Sequence, residues 1–381
     1  MARAGCRVLV VERERKFRDR NRGEGMQPWG VAEARELGIE RRLVDTCGHV
    51  VRWRNIHVGD AVVSRRDMVA TNPGALPALD FHHPDMQTEL LALAEEAGAV
   101  VRRGTTVTSL TPGRLPSLEL EDGHRERVSA RLVVGADGRT SRVRDWAGLQ
   151  TRRDSECLVI AGILHGGLHL AEDTIHTVYS HARGQAVLIF PLGGGRFRSY
   201  FFYRRQGPAR PLAGARHASD FVSACVETGA PAAWFARAEM LGPLAAFEGA
   251  DRWVAHPCRE GIVLIGDAAA TSDPCFGTGL SLTLRDVRVL RDHLLAMPDW
   301  AAAAHAYARE HDRYYSALRR VVGWLRDLYY ERGPEAEAQR ARVLPLLERE
   351  PERRPDHVGL GPEAPNDEAA RRRLFGEDCP C

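Results

Sequence analysis

The stretch GIVLIGDAAATSDPCFGTGLSLTLRDVRVL, from Gly261 to Leu290, constrains this chain more than any other. Ile262, Val263, Leu264 and Ile265 form a continuous apolar run of the kind that fills a sheet covered on both faces. Asp267 therefore stands at the strand's carboxyl end, the edge where ligands collect in open α/β sheets. Gly277 and Gly279 let backbone N–H groups approach a bound group at the start of the next helix. That helix is read from Leu280, Leu284, Val287, Leu290 and Leu294 at helical spacing. Gly266 and Asp267 in isolation would read as a turn cap. Strand, acid, glycine-bounded turn and helix in this order read as a device for gripping a cofactor.

A second string, LVVGADGRTSRVRDWAGL, has the same architecture. Leu132, Val133 and Val134 make a buried strand, Gly135 to Gly138 the turn, and Thr140 or Ser141 the cap of a helix carrying Val143 and Trp146. Near the start, RVLVVERE gives a strand from Val8 to Val11 that ends on Glu12. A carboxylate ending the second strand of a dinucleotide fold is placed to hold a ribose hydroxyl.

Glu12 after RVLVV, GADG at Gly135 to Gly138, and GDAAATSDPCFGTG at Gly266 to Gly279 resemble the motifs of the FAD-dependent aromatic hydroxylases, the single-component monooxygenases of the p-hydroxybenzoate hydroxylase type. The resemblance runs from about Ala2 to the helix ending near Tyr330. It implies an α/β fold: a Rossmann-like, three-layer FAD/NAD(P)-binding domain with an inserted β-sheet substrate domain and C-terminal helices. It also implies roles. Glu12, with Arg13 beside it, would bind the adenosine ribose. Arg22 would stand near the cofactor, and Gln87 would approach the pyrophosphate. Asp137 and Gly138 would lie near the pyrophosphate. Gly266 and Asp267 would hold the ribityl chain, and Pro274 to Gly279, with Gly277 and Thr278 between them, would line the isoalloxazine. His83 stands where the family usually has arginine and is read as a helix-entry histidine. Cys275, placed beside the flavin, is read as a small residue allowing close backbone approach in preference to a redox or covalent role.

The sequence departs from that pattern at its start. A dinucleotide fold opens with a strand and a G-x-G-x-x-G turn before the helix whose tail, here MARAG, leads into RVLVVERE. Neither is present, a deficit on the order of 20–25 residues. The absent strand would be central, so its neighbours would carry unpaired backbone groups. A start codon assigned too late is preferred to a real truncation, because the remaining strands, turns and helices are mutually consistent.

Composition adds bounds. A chain of 381 residues suffices for about two domains with sizeable cores. A formal net charge of +2 gives no reason to invoke nucleic acid, and no run reaches the roughly 18 apolar residues of a membrane span. The N-terminal apolar run is short and followed at once by ERERK, which argues against an export signal. Cys6, Cys47, Cys157, Cys225, Cys258, Cys275, Cys379 and Cys381 lack C-x-x-C spacing, so a zinc site or disulfide framework is not expected and a cytoplasmic setting is.

The expected division is 1–48, 84–156 and 251–297 for three parts of the FAD domain, 49–83 for substrate-domain strands, 157–250 for the substrate-binding sheet, 298–332 for a C-terminal helix and 333–381 for a polar extension. Trp29 to Leu43 reads as a short helix, and His49 to Phe81 as strands of a second layer. CLVIAGIL, DTIHTVYS, AVLIFPL and RSYFFYRR read as the inserted sheet. Phe190, Tyr200, Phe202 and Trp234 are candidates for an apolar pocket and equally for core.

The implied function is an FAD-dependent hydroxylase driven by NADH or NADPH. It would pass oxygen from a flavin C4a-hydroperoxide to an apolar, aromatic or polycyclic small molecule. No catalytic side chain is assigned, in keeping with the absence of a triad or paired-carboxylate motif. Halogenation is discounted because Lys16, the sole lysine, follows the ribose-binding strand. An FAD-dependent reductase of prenyl lipids and a non-catalytic flavoprotein remnant are the alternatives. Oligomeric state is not readable from the sequence.

Overall fold

The computed structural model describes residues 1–381 apart from 22, 155–157, 205–211 and 379–381, so Arg22, Cys157, Cys379 and Cys381 lie outside the described residues. Its largest sheet has eight strands. In order across the sheet they are Glu239–Met240, Val159–Gly166, Arg196–Tyr203, Gln185–Gly193, Thr174–Ser180, Trp53–Val58 and Ala61–Asp67, with Ala245–Glu248 also on Val159–Gly166. All pairs are antiparallel except Thr174–Ser180 with Trp53–Val58.

The two-residue period of a strand sorts this sheet's side chains onto two faces. Ile160, Leu164, Leu188, Phe190, Tyr200 and Phe202 join the main core, while Ala161, Ile163, Val187, Ile189, Phe197 and Phe201 pack on the other side with Phe221 and Cys225 of the helix Ala218–Thr228. Every residue of Val159–Gly166 is buried. Trp234 belongs to the second face, against His57 and His176.

The remaining strands form small sheets. Leu9–Glu12 pairs in parallel with Val100–Arg103, and Val133–Gly135 pairs in parallel with Ile262–Leu264. Among the described strands these pairs are not joined, so Leu9–Glu12 and Val133–Gly135 each keep one edge. The in-register pairing of Gly135 with Leu264 sends Asp137 and Asp267 off the same end. Ser117–Glu121 and Arg125–Ser129 make the expected hairpin across Asp122-Gly123, with Gly123 at φ +107°.

Three expectations are corrected. Trp29 to Leu43 is not one helix: Pro28–Glu36 and Glu40–Thr46 are separated at Gly38, whose φ of +69° ends the first. The segment 49–83 divides, because Gly48–Val51 and Ala78–Phe81 pair with each other and only Trp53–Val58 and Ala61–Asp67 enter the large sheet. The segment after Gly333 folds onto the body, where the helix Pro334–Arg349 and the chain beyond it place Val343, Val358, Leu374 and Phe375 in the main core.

Two long helices brace the glycine turn. Gly279–Ala296 runs into Trp300–Tyr330, which starts where the Asp299 carboxylate accepts from the N–H groups of Ala301 and Ala302. Tyrosines of the second helix reach back to the strand and turn. Tyr307 donates to the Leu264 carbonyl at 2.9 Å, Tyr315 to the Thr271 carbonyl at 2.9 Å, and Tyr314 to the Asp286 carboxylate. Asp286 in turn accepts from Gly266 N–H at 2.7 Å, where φ is +57°.

Candidate active site

The turn after Ile262–Leu264 is held from several sides. Asp273 caps the short 3₁₀ turn Pro274–Phe276 through Cys275 N–H at 3.0 Å, and Gly277 follows at φ +61°. Thr278, fully buried, donates its hydroxyl to Ser272 at 2.9 Å and makes no side-chain cap. The first-turn N–H groups of Gly279–Ala296 are thus left for an acceptor, with the helix dipole behind them. Cys275 is buried, and burial with the Asp273 carboxyl beside it pushes its thiol well up, away from a reactive thiolate.

Gln27 joins this turn to the first part of the chain. Its amide donates to the Phe276 carbonyl at 3.2 Å and its backbone N–H to Ser281 Oγ at 3.0 Å. Gly30 lies so close to Ser281 that a Cβ there would be 2.2 Å from the hydroxyl oxygen.

The acids expected at the far end are engaged locally. Asp137 accepts from Arg142 N–H at 2.8 Å, from Val143 N–H at 3.1 Å and from the Ser141 hydroxyl, and so caps the helix Arg142–Trp146 together with Ser141. Glu12 accepts from Glu14 N–H at 2.7 Å, and Arg13 is exposed with Glu14 at 3.7 Å. Gly138, at φ +82°, has open space on its Cβ side. Gln87 is half-buried on the helix His83–Glu96, and His83 Nδ1 lies 3.1 Å from the Gly23 carbonyl. Lys16 is exposed.

Between the first segment and the inserted sheet lies a buried polar seam. Arg198 donates to Asp19 at 2.6 Å, to Glu24 at 3.1 Å and to Asn21, and Tyr200 donates to Glu24. Burial raises the Glu24 pKa against the pull of Arg198. Asp80 is buried with both carboxyl oxygens unpartnered among the described residues; burial, with Glu24 near it, pushes its pKa well up and favours the protonated form. A Cβ on Gly25 would lie 2.9 Å from the Phe190 ring and 3.4 Å from Asp80 Oδ1. Seam and turn meet at a narrow cavity lined by Gln27, Arg54, Ile175, Leu188, Phe190 and Gly277, with Phe276 beside them.

The structure brings Gly277 together with Phe190 at the cavity, with Pro274, Thr278 and Gly279 next to it along the turn and Gly266 and Asp267 at the strand end before it, whereas Glu12 and Asp137 follow other strands. Tyr200 supports the seam, Phe202 is core, and Trp234 lies across the sheet, away from the cavity. Gln27, Arg54, Glu24, Asp80 and Arg198 escaped the sequence reading. Gln27 carried one signal, its place before a proline that opens a helix.

A family model described as an FAD binding domain matches residues 1–324. The chain is 28% identical to a rifampicin monooxygenase of Streptomyces venezuelae, across 78% of this chain and 61% of that protein. It is 25% identical to a digeranylgeranylglycerophospholipid reductase of Methanococcoides burtonii, across 74% of this chain and 66% of that one. The chain spans between about half and two thirds of the length of the first curated relatives it matches. Its fold is similar to the crystal structure of p-nitrophenol 4-monooxygenase PnpA from Pseudomonas putida DLL-E4, with a TM-score of 0.77 at 16% identity, covering 99% of this chain and 92% of that one.

Proposed function

The chain belongs to the FAD binding domain family, and from that premise we propose that it is an FAD-dependent monooxygenase that hydroxylates an apolar, aromatic small molecule, with NADH or NADPH as reductant and oxygen as co-substrate. The observation that carries this reading is the uncapped helix start of the glycine turn set against the apolar inserted sheet, with Phe190, Phe276, Leu188 and Ile175 lining the narrow space between them. In this reading residues 157–250 cover the substrate, and 1–48, 84–156 and 251–297 hold the cofactor.

The residues present fit FAD unequally along its length. The uncapped helix start at Thr278 and Gly279, the positive-φ Gly277 and the Asp267 carboxyl suit the ring and ribityl end. At the nucleotide end Gly138 leaves open space, but Asp137 and Glu12 would have to exchange their present N–H partners for the ligand. Arg13, Arg22 and Gln87 remain assigned to that end.

When bound, reduced FAD supplies the oxygen-activating chemistry. The protein's part is placement. Gln27 ties the first segment to Phe276, Asp286 and three tyrosines fix the turn, and Phe190 and Phe276 exclude water. Burial pushes Asp80, beneath Gly25, towards its neutral form, which limits the negative charge beside Glu24, Asp19 and Arg198.

The test is an FAD-reconstituted assay following NADH and NADPH oxidation, with and without aromatic compounds, in air and under argon. Substrate-stimulated, oxygen-dependent consumption with one oxygen atom added to the product is expected. Tight FAD binding with no oxygen-dependent product would overturn the proposal. The likeness to the archaeal reductase supports a second reading, and reduction of an isoprenoid double bond under argon would favour it.

A further inference from the structure

Among the described residues, one buried charge in the cavity has no counter-ion within 4 Å. Arg54 lies on the strand Trp53–Val58, is only 8% exposed and lines the cavity with Phe190 and Phe276. Its Nε has no hydrogen-bond partner. The groups that act on it most are Tyr179, Arg354, Arg66 and Tyr329, with no carboxylate among them. Asp356, on the C-terminal segment, is held by the neighbouring Arg66 in a two-pronged pair of 2.7 and 2.8 Å.

The surroundings make the local charge more positive. The segment after Glu350 carries Arg354, whose guanidinium donates to the Tyr329 hydroxyl at 3.1 Å. It also carries His357, whose ring meets Phe276 edge-on at 5.6 Å and whose Nε2 is buried without a partner. Burial beside Arg54 and Arg354 drives His357 down to about 3, so it is neutral here. A buried unpaired guanidinium costs several kcal/mol of lost hydration. A carboxylate ligand would supply the missing acceptor.

We infer that Arg54 is the anion-binding residue of this cavity, and that the substrate is a planar apolar body carrying one carboxylate, received by Arg54 with Arg354 and His357 of the C-terminal segment behind it. The inference rests on the monooxygenase reading for the fate of that substrate and on the cavity alone for its binding. A guanidinium presents parallel N–H donors that match a carboxylate, and Phe190 and Phe276 flank the space for a ring. The cavity is tight: about 10 Å³ is open to a water's centre, about the room of one water. A ring enters by turning Phe190 or Phe276 aside.

The experiment is calorimetric titration of the FAD-loaded full chain with benzoate, phenylacetate and indole-3-acetate, each against its amide. The acids should bind on the order of 10- to 100-fold more tightly than the amides. Arg54→Met should erase that preference and melt no lower than the wild type, because the charge it removes has no partner; Arg54→Lys should keep part of the preference. Equal affinity for acids and amides, no binding of any acid at millimolar concentration, or a preference that survives in R54M would overturn the inference. The two readings separate in an aerobic NADPH assay with the same compounds. Acids bound preferentially but never oxygenated leave the anion site standing and remove the monooxygenase; amides oxygenated while acids are refused do the reverse.

Discussion

The inserted sheet and the cofactor-side strands are written in equally apolar letters, yet they bury them differently. Val159–Gly166 is buried along its whole length, and its neighbours Gln185–Gly193 and Arg196–Tyr203 nearly so. On the cofactor side Leu9, Val100 and Val134 are 37%, 61% and 42% exposed. One face of the insert packs into the main core and the other lies under the helix Ala218–Thr228, so its central strands are covered on both sides. The strands proposed to hold the cofactor end instead in turns and helix caps.

Arg198→Met, at the seam where the two regions meet, should show the largest effect. It leaves Glu24 and Asp19 buried without their cation and should cost about 3–5 kcal/mol in chemical denaturation. Phe202→Ala within the insert should cost a similar 3–5 kcal/mol, against less than about 1 kcal/mol for Leu9→Ala. Equal losses at Phe202 and Leu9 would break the comparison.

The regions should also differ in sign with pH. Asp251, beside the turn, is raised to about 7 by burial, with Asp273 and Asp154 adding to it. The folded chain therefore binds a proton there that the unfolded chain releases near 4. Stability from this group is present below about pH 4 and is lost as pH rises to about 7. In the insert, burial lowers His176 to about 4. The unfolded chain protonates it first, so that contribution is present above about pH 6.5 and lost on acidification. Asp251→Asn should gain stability over the wild type as pH is raised from 5 to 8, by on the order of 2 kcal/mol or more. A melting-temperature difference that stays constant over that range would remove Asp251 from the account.

These two regions were also unequally legible. Local signals announced strand, turn and helix around Asp267, Asp137 and the Asp122-Gly123 hairpin, because apolar runs and glycines act through near neighbours. The four strands of the insert were legible for the same reason. Arg54, Asp80 and Arg198 were not. In a strand of alternating letters an arginine reads as outward, and only the packing of distant segments turns it in. Arg198 meets residues more than 170 positions away, at Asp19, Asn21 and Glu24. The C-terminal segment read as polar because Val343, Val358, Leu374 and Phe375 are spread thinly among charges, although each finds the same core.

The smallest effects separate two carboxylates that the sequence pattern treats alike. Asp137 and Asp267 leave parallel strands at the same end, and Asp137 caps a helix there by accepting two backbone N–H groups and a hydroxyl. Asp137→Ala should therefore lower the stability of the FAD-free chain by about 1 kcal/mol, the usual loss of a helix cap. Asp267→Ala should weaken FAD binding by on the order of tenfold, about one charged hydrogen bond. Flavin fluorescence titration beside thermal melting reads both. If Asp137→Ala spares the melting point and abolishes FAD binding, the cap is given up to the cofactor on binding, and the nucleotide end is reorganised by the ligand; if each variant moves only its own readout, capping and binding are divided between the two strand ends.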